Sequence, residues 1–211
     1  MTLRSLLVDF NSYFASVEQQ AEPRYRGRPI GVVPMLADTT VCIAASVEAK
    51  TFGVKTGTKV AEARKLCPGI EFVIARHELY IDYHHRAVGV VDSIVPVRAV
   101  LSIDEMDCEL TGRFRDRDRA LDLARKAKAA ISSQVGECLR TSIGIGATAL
   151  PAPEMKIVPK LRTRPQNPCS TRSDSTLSRL ISTVCRVMKP NFAMMRRLVI
   201  ATSVERILIQ A

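Results

Sequence analysis

A chain of 211 residues, 46% hydrophobic with a mean hydropathy of +0.05 and a formal charge of +10, has the composition of a water-soluble globular protein of one or two domains. No apolar run approaches the length of a membrane span, and the short apolar run after Arg4 ends on Asp9, which a signal peptide would not do. The basic excess points to a polyanionic partner, but it is uneven: residues 147–211 hold 11 Lys+Arg against 3 Asp+Glu, so the first 146 residues are nearly neutral.

Leu3, Leu6, Leu7 and Val8 predict a short strand stopping on Asp9. Asn11 to Gln20 predicts a helix with Phe14, Val17 and Ala21 on one face, capped by Asn11 or Ser12. Ile30 to Val33 and Thr40 to Ala45 read as short strands. Val47 to Phe52 reads as a helix stopped by Gly53, and Thr58 to Leu66 as another closed by Cys67-Pro68-Gly69. Phe72 to Ala75 is a strand, and Glu78 to Ile94 a long helix burying Leu79, Tyr83, Val90 and Ile94. The runs Val97–Ile103 and Met106–Leu110 predict a hairpin with Asp104 and Glu105 at its bend. Arg117 to Val135 is amphipathic along Leu121, Ala124, Ala127 and Ile131, and Arg140 to Ile145 is a final strand. The order predicts an α+β fold, an antiparallel sheet backed by helices on one face.

Two neighbouring carboxylates repel unless a proton or cation lies between them. An acidic bend is a solvated turn or a cation site, and the residues alone leave both open. Phe14 alone reads as a core residue of the first helix. Six scattered cysteines (Cys42, Cys67, Cys108, Cys138, Cys169, Cys185) form no Cys-x-x-Cys pair and read as reduced. His77, His84 and His85 lack carboxylates at ligand spacing and read as surface or satisfied core residues, not metal ligands.

The run from Val8 through Asp9, Phe10, Asn11, Ser12, Tyr13 and Phe14 to Glu18 resembles the opening motif of the Y-family, or translesion, DNA polymerases. Ser102-Ile103-Asp104-Glu105 resembles their second acidic motif, Glu48 to Gly57 their fingers motif, and Thr141 to Gly146 their last palm strand. The resemblance implies palm at residues 1–18 and 77–147 with small fingers inserted at 19–76. It implies two magnesium ions held by Asp9, Asp104, Glu105 and the Phe10 carbonyl, serving nucleotidyl transfer as catalytic carboxylates. It implies a nucleotide site at Asn11, Ser12, Tyr13, Phe14, Val47 and Lys50, with Phe14 as the steric gate against a 2′ hydroxyl. Val47 and Lys50 stand where the family commonly has Tyr and Arg. Primer-template DNA and deoxynucleotides are the implied partners, with a sliding clamp or repair proteins for a full-length member, in the cytoplasm and without a membrane.

After Gly146 the pattern changes. Ala149 occupies the place of a basic triphosphate residue, two prolines oppose a helix, and all ten glycines lie at or before Gly146. Residues 148–211 are expected to be a non-family tail, irregular at first, then helical at 177–188 and from Met194 to Ile209, arising from a frameshift or degraded gene. The expectation is a truncated polymerase domain with weak or absent primer extension alone. Alternatives are a non-catalytic repair scaffold or an inactive gene product.

Overall fold

The computed structural model describes residues 2–147 and 207–209. The expected tail loop, the expected helix at 177–188 and most of the one from Met194 lie outside them. Beside two 3-10 turns and one π-helical turn, eight strands and five α-helices are described. In chain order they are β1 (Ser5–Phe10), α1 (Tyr13–Ala21), β2 (Ile30–Val33), β3 (Ala44–Ala45), α2 (Val47–Thr51), α3 (Val60–Leu66), β4 (Glu71–Ile74), α4 (His77–Asp92), β5 (Val97–Val100), β6 (Glu105–Glu109), α5 (Arg117–Ala130), β7 (Thr141–Gly146) and β8 (Ile207–Ile209).

The larger sheet has the order β5-β6-β1-β7-β8, and every pairing in it is antiparallel. Strand β1 is central because its alternation suits a sheet with one covered face: Leu6, Val8 and Phe10 are buried, while Leu7 and Asp9 alternate onto the more open face. Helices α1, α4 and α5 cover the buried side. Their Phe14, Val17, Tyr80, Ala87, Ala124 and Ala127 join Leu6, Val8, Met106 and Ile143 in one core. The fold is thus α+β, an antiparallel palm sheet backed by helices, as the sequence predicts.

A second sheet, β3-β2-β4, is inserted between α1 and α4, with β2–β4 parallel. With α2 and α3 it builds its own core from Val33, Cys42, Ala49, Val54, Val60 and Ala63. Gly31 of β2 permits close packing there, since a Cβ would meet the Phe72 ring at 3.0 Å and Cys42 Sγ at 3.2 Å. The four described cysteines, Cys42, Cys67, Cys108 and Cys138, are free thiols. Among the described residues no helix is long and apolar enough to cross a membrane.

Several boundaries differ from expectation. Helix α1 starts at Tyr13, because Asn11 still donates its N–H across the sheet to Arg140 O (2.8 Å) and Ser12 adopts a left-handed conformation (φ 53°). Neither Asn11 nor Ser12 caps it through its side chain. Of Thr40–Ala45 only Ala44–Ala45 is strand, with Val41 in an isolated bridge to Lys59. On α4 the deepest stripe is Tyr80, Tyr83, Ala87 and Val91; Leu79, Val90 and Ile94 are only partly buried, because the apolar arc is wide enough for either set. On α5 Ala120 and Leu123 are buried where Leu121 is half-buried, and the last part of the predicted helix is a π-helical turn, Ile131–Val135. The end of the expected C-terminal helix is instead β8: Ile207–Ile209 satisfies the backbone groups on the open edge of β7, and the run Ile-Leu-Ile has high strand propensity.

Burying a Leu side chain stabilises a fold by about 1.5–3 kcal/mol, and truncating it adds the cost of a cavity. Leu6 is paired on both sides, with Cys108 of β6 and Ile145 of β7, and is fully buried. Leu6→Ala is expected to destabilise the chain by about 2–5 kcal/mol, read as a lower urea midpoint with an unchanged slope.

Candidate active site

Asp9 is the next-to-last residue of β1, and the β1–β6 register sets it directly opposite Glu105. Directly opposed residues project to the same face, so the two carboxylates are neighbours by construction of the ladder. One step on, the Phe10 N–H donates to Asp104 O at 2.9 Å, which ties the end of β1 to the hairpin bend.

The bend aims Asp104. Leu101 and Ser102 both donate their N–H groups to Glu105 O, at 2.9 and 3.2 Å. Ser102 Oγ donates to Asp104 Oδ1 at 2.6 Å and accepts from the Asp104 N–H at 3.3 Å. His84 of α4 supports the bend from below, with Nδ1 2.9 Å from Ile103 O. Burial holds the His84 imidazole below its ordinary pKa, against the opposing pull of the Ile103 carbonyl and Asp104. His84 is therefore a satisfied, half-buried histidine, while His77 and His85 are exposed.

Charge accumulates here. Burial, then the Asp104 carboxylate, push Asp9 up to about 6, with Lys50 of α2 opposing. Burial, then Asp9 and Asp104, push Glu105 up to about 7. All three predicted carboxylates are thus within electrostatic reach of one another, and Lys50 within reach of Asp9. Among the described residues no three His, Cys, Asp or Glu side chains are already drawn into a metal-binding cluster. The donor chemistry nonetheless fits a hard divalent cation: oxygen donors on a strand pair, partly desolvated, whose mutual repulsion a cation would relieve.

Of the predicted nucleotide residues, Asn11 to Phe14 follow Asp9 and Phe10 directly in the chain, and Lys50 acts on the charge of Asp9. Ser12 is the only described non-glycine residue with positive φ, and its buried Oγ has no hydrogen-bond partner among the described residues. Asn11 is more engaged than expected. Its backbone N–H is used by Arg140 O at 2.8 Å, and its Oδ1 accepts from Ser142 Oγ at 3.0 Å, so it holds the turn and offers no free backbone N–H. Phe14 is buried, its ring stacked on Tyr80 with centroids 4.4 Å apart and planes at 20°. Tyr13 donates its hydroxyl to Tyr80 O at 2.8 Å. Val47 and Lys50 are exposed on α2, whose first turn is capped by Ser46 Oγ accepting from the Ala49 N–H at 3.2 Å. Val47 lines a cavity of about 300 Å³ with Ser16, Gln19, Glu48, Arg26 and Arg140.

Behind Phe14 is a group that sequence reasoning did not single out. Glu18 of α1 is fully buried; it accepts from the Tyr80 hydroxyl at 2.7 Å and from Arg76 Nε at 3.1–3.2 Å, with Arg76 Nη2 as a further donor. The signal was a charged residue one position after Val17 on the apolar face of the first helix. Ser102 and His84 carried no comparable signal, because their roles depend on where the bend falls.

Residues 8–153 match the IMS family, described as the impB/mucB/samB family. The chain is 40% identical over 147 residues to a DNA polymerase IV of Moorella thermoacetica, covering 69% of this chain and 36% of the relative. It is 33% identical over 146 residues to a DNA polymerase IV of Neisseria meningitidis, covering 69% and 45%. Among solved structures it resembles DinB from Sulfolobus solfataricus (TM-score 0.62, 27% identity, 68% of this chain and 42% of that one) and a post-insertion binary complex of Dbh DNA polymerase with the same figures. The chain therefore spans less than half the length of these relatives.

The raised carboxyls set a pH dependence. Unfolded, Asp9 and Glu105 titrate near 4; folded, at about 6 and about 7. The folded state holds these protons more tightly, so the stability they contribute is complete below about pH 4 and lost as pH rises through 6 to 7. Both groups are partly solvated, so screening reduces the effect to on the order of 1 kcal/mol each. Asp9→Asn is expected to raise the melting temperature of the metal-free chain at pH 8 and to leave it nearly unchanged at pH 4. Melts of both proteins in EDTA at the two pH values check this, and an equal shift at both would refute the electrostatic origin.

Proposed function

The chain belongs to the impB/mucB/samB family, and from that premise we propose that it carries the palm and fingers of a translesion DNA polymerase, adding deoxynucleotides to a primer strand. The observation that carries the reading is the β1–β6 register, which opposes Asp9 to Glu105 and ties Phe10 to Asp104.

Asp9, Asp104 and Glu105, with the Phe10 carbonyl, would hold two magnesium ions. When bound, such ions neutralise charge on the phosphates and activate the primer 3′ oxygen for in-line attack. The chain's own groups perform the remaining tasks. The hairpin bend orients Asp104 through Ser102, and the Asp9 and Glu105 side chains would draw in around a bound cation. The first turn of α1 offers the N–H groups of Ser12 and Tyr13 to a triphosphate. Lys50 adds a positive charge near Asp9, as a point charge without a bidentate fork. Phe14, backed by Tyr80, presents a rigid ring that leaves no room for a 2′ hydroxyl. Primer-template DNA and deoxynucleoside triphosphates are the substrates on this reading, and the cytoplasm its place.

The test is magnesium-dependent binding of a deoxynucleoside triphosphate together with primer extension. Asp104→Asn is expected to lower extension by roughly 100-fold or more, the scale of losing one ligand of a catalytic ion. Extension that survives both Asp9→Asn and Asp104→Asn, or a chain with neither extension nor magnesium-dependent nucleotide binding, would sink the reading. Phe14→Ala is expected to raise ribonucleotide use relative to deoxynucleotide use. Equal loss with both sugars would make Phe14 a core residue only.

A further inference from the structure

A second cavity, of about 440 Å³, lies between the C-terminal half of α5 and the start of β7. Arg125, Lys128 and Ser132 line it from one face of the α5 segment, at spacings of three and four, and Asn11 and Arg140 line it from the sheet end. Three cations therefore surround one space. Glu137 is the single carboxylate on the lining, and it is largely exposed and already paired with Arg26 at 2.7 Å.

Lys128 separates this cluster from a solvated basic face. Its Nζ is buried and has no hydrogen-bond partner among the described residues. A lysine that only complemented the negative end of the α5 dipole would extend its ammonium group to water. A buried ammonium without an acceptor is costly, and an oxyanion in the adjoining cavity would supply one. Arg125 and Arg140 provide forked donors suited to the several oxygens of a phosphate. The backbone of Arg140 is held by its carbonyl, which accepts the N–H of Asn11, two residues beyond Asp9, at 2.8 Å. Ser132 belongs to the π-helical turn Ile131–Val135 that follows α5, and it is the residue of that turn that lines the cavity.

We propose that this cavity is a phosphate-binding site, in which Lys128, Arg125 and Arg140 hold a phosphate group of a nucleotide or a nucleic-acid strand. It adjoins the Ser12–Phe14 turn through Asn11 and shares Arg140 with the cavity lined by Val47, but Asp9, Asp104 and Glu105 do not line it, and it does not require the polymerase reading. Its volume exceeds a phosphate group alone and accommodates an attached sugar.

The test uses the full chain in EDTA, so that magnesium-dependent binding at Asp9, Asp104 and Glu105 makes no contribution. The probes are a labelled oligothymidylate, read by anisotropy at several salt concentrations, and deoxyadenosine triphosphate, read by thermal shift. Lys128→Met, which keeps the side-chain length, is expected to raise the melting temperature of the free chain, because a buried charge is removed. The same change should weaken oligothymidylate binding by roughly tenfold at low salt and lower the slope of log K against log salt by about 0.7, one phosphate contact on a single strand. Arg125→Ala should weaken binding similarly, while Lys65→Ala, on exposed α3, should leave it unchanged. A Lys128-dependent shift with deoxyadenosine triphosphate identifies a nucleotide as the source of the phosphate, and one with the oligonucleotide alone identifies a strand. If Lys128→Met and Arg125→Ala bind both probes as the unaltered chain does, the proposal is overturned and the α5 cations only complement the helix end.

Discussion

The repulsion among Asp9, Asp104 and Glu105 is the constraint on which the rest of the structure depends. Left to themselves these carboxylates would separate or stay protonated. The β1–β6 ladder prevents separation, because Asp9 and Glu105 are opposed in register and β1 is held on its other edge by β7. A slip of one residue would turn the carboxylates to the core face and Leu6 and Val8 to the open one, so the hydrophobic core also fixes the charge cluster. The site is a strained electrostatic arrangement imposed by apolar burial.

Around that cluster the molecule places rigid supports. Ser102 and His84 hold the hairpin bend, one through the Asp104 carboxylate and the other through the Ile103 carbonyl. Glu18 holds Tyr80, which supports Phe14, and Arg76 joins the same carboxylate from the residue before α4, where the inserted sheet returns to the main one. A fully buried carboxylate paired to a partly exposed arginine contributes little net stability in general. Its value here is geometric: it fixes the aromatic pair and connects α1 to α4. The inserted sheet, with its separate core, then presents Val47 and Lys50 from α2.

The basic residues divide into two populations. Lys50 acts close to Asp9, where its charge partly offsets the carboxylates. Arg125, Lys128 and Arg140 gather beside the start of β7, at the same end of the sheet as Asp9, around a second cavity that none of the three carboxylates lines. The near-neutral charge of the first 146 residues conceals this separation of sign, which arises only when distant segments are brought together.

Much was legible in the order of residues. The apolar run Leu3, Leu6, Leu7 and Val8 determined a strand reaching Asp9, the helical spacing of apolar residues on α4 and α5 determined helices, and the motifs at Asp9 and Asp104-Glu105 determined the family. Periodicity specifies which side of an element is apolar, and short motifs specify chemistry, because both are local properties of the chain. It did not decide the start of α1, where a cross-strand bond from Asn11 overrode helix propensity, nor the strand at Ile207–Ile209, which forms because β7 has an open edge. It did not reveal that Ser102 and His84 support the bend, that Glu18 supports Tyr80, or that Lys128 buries its amine. Those facts depend on long-range register and on which groups lose water, and only the tertiary structure decides which polar atoms are buried together.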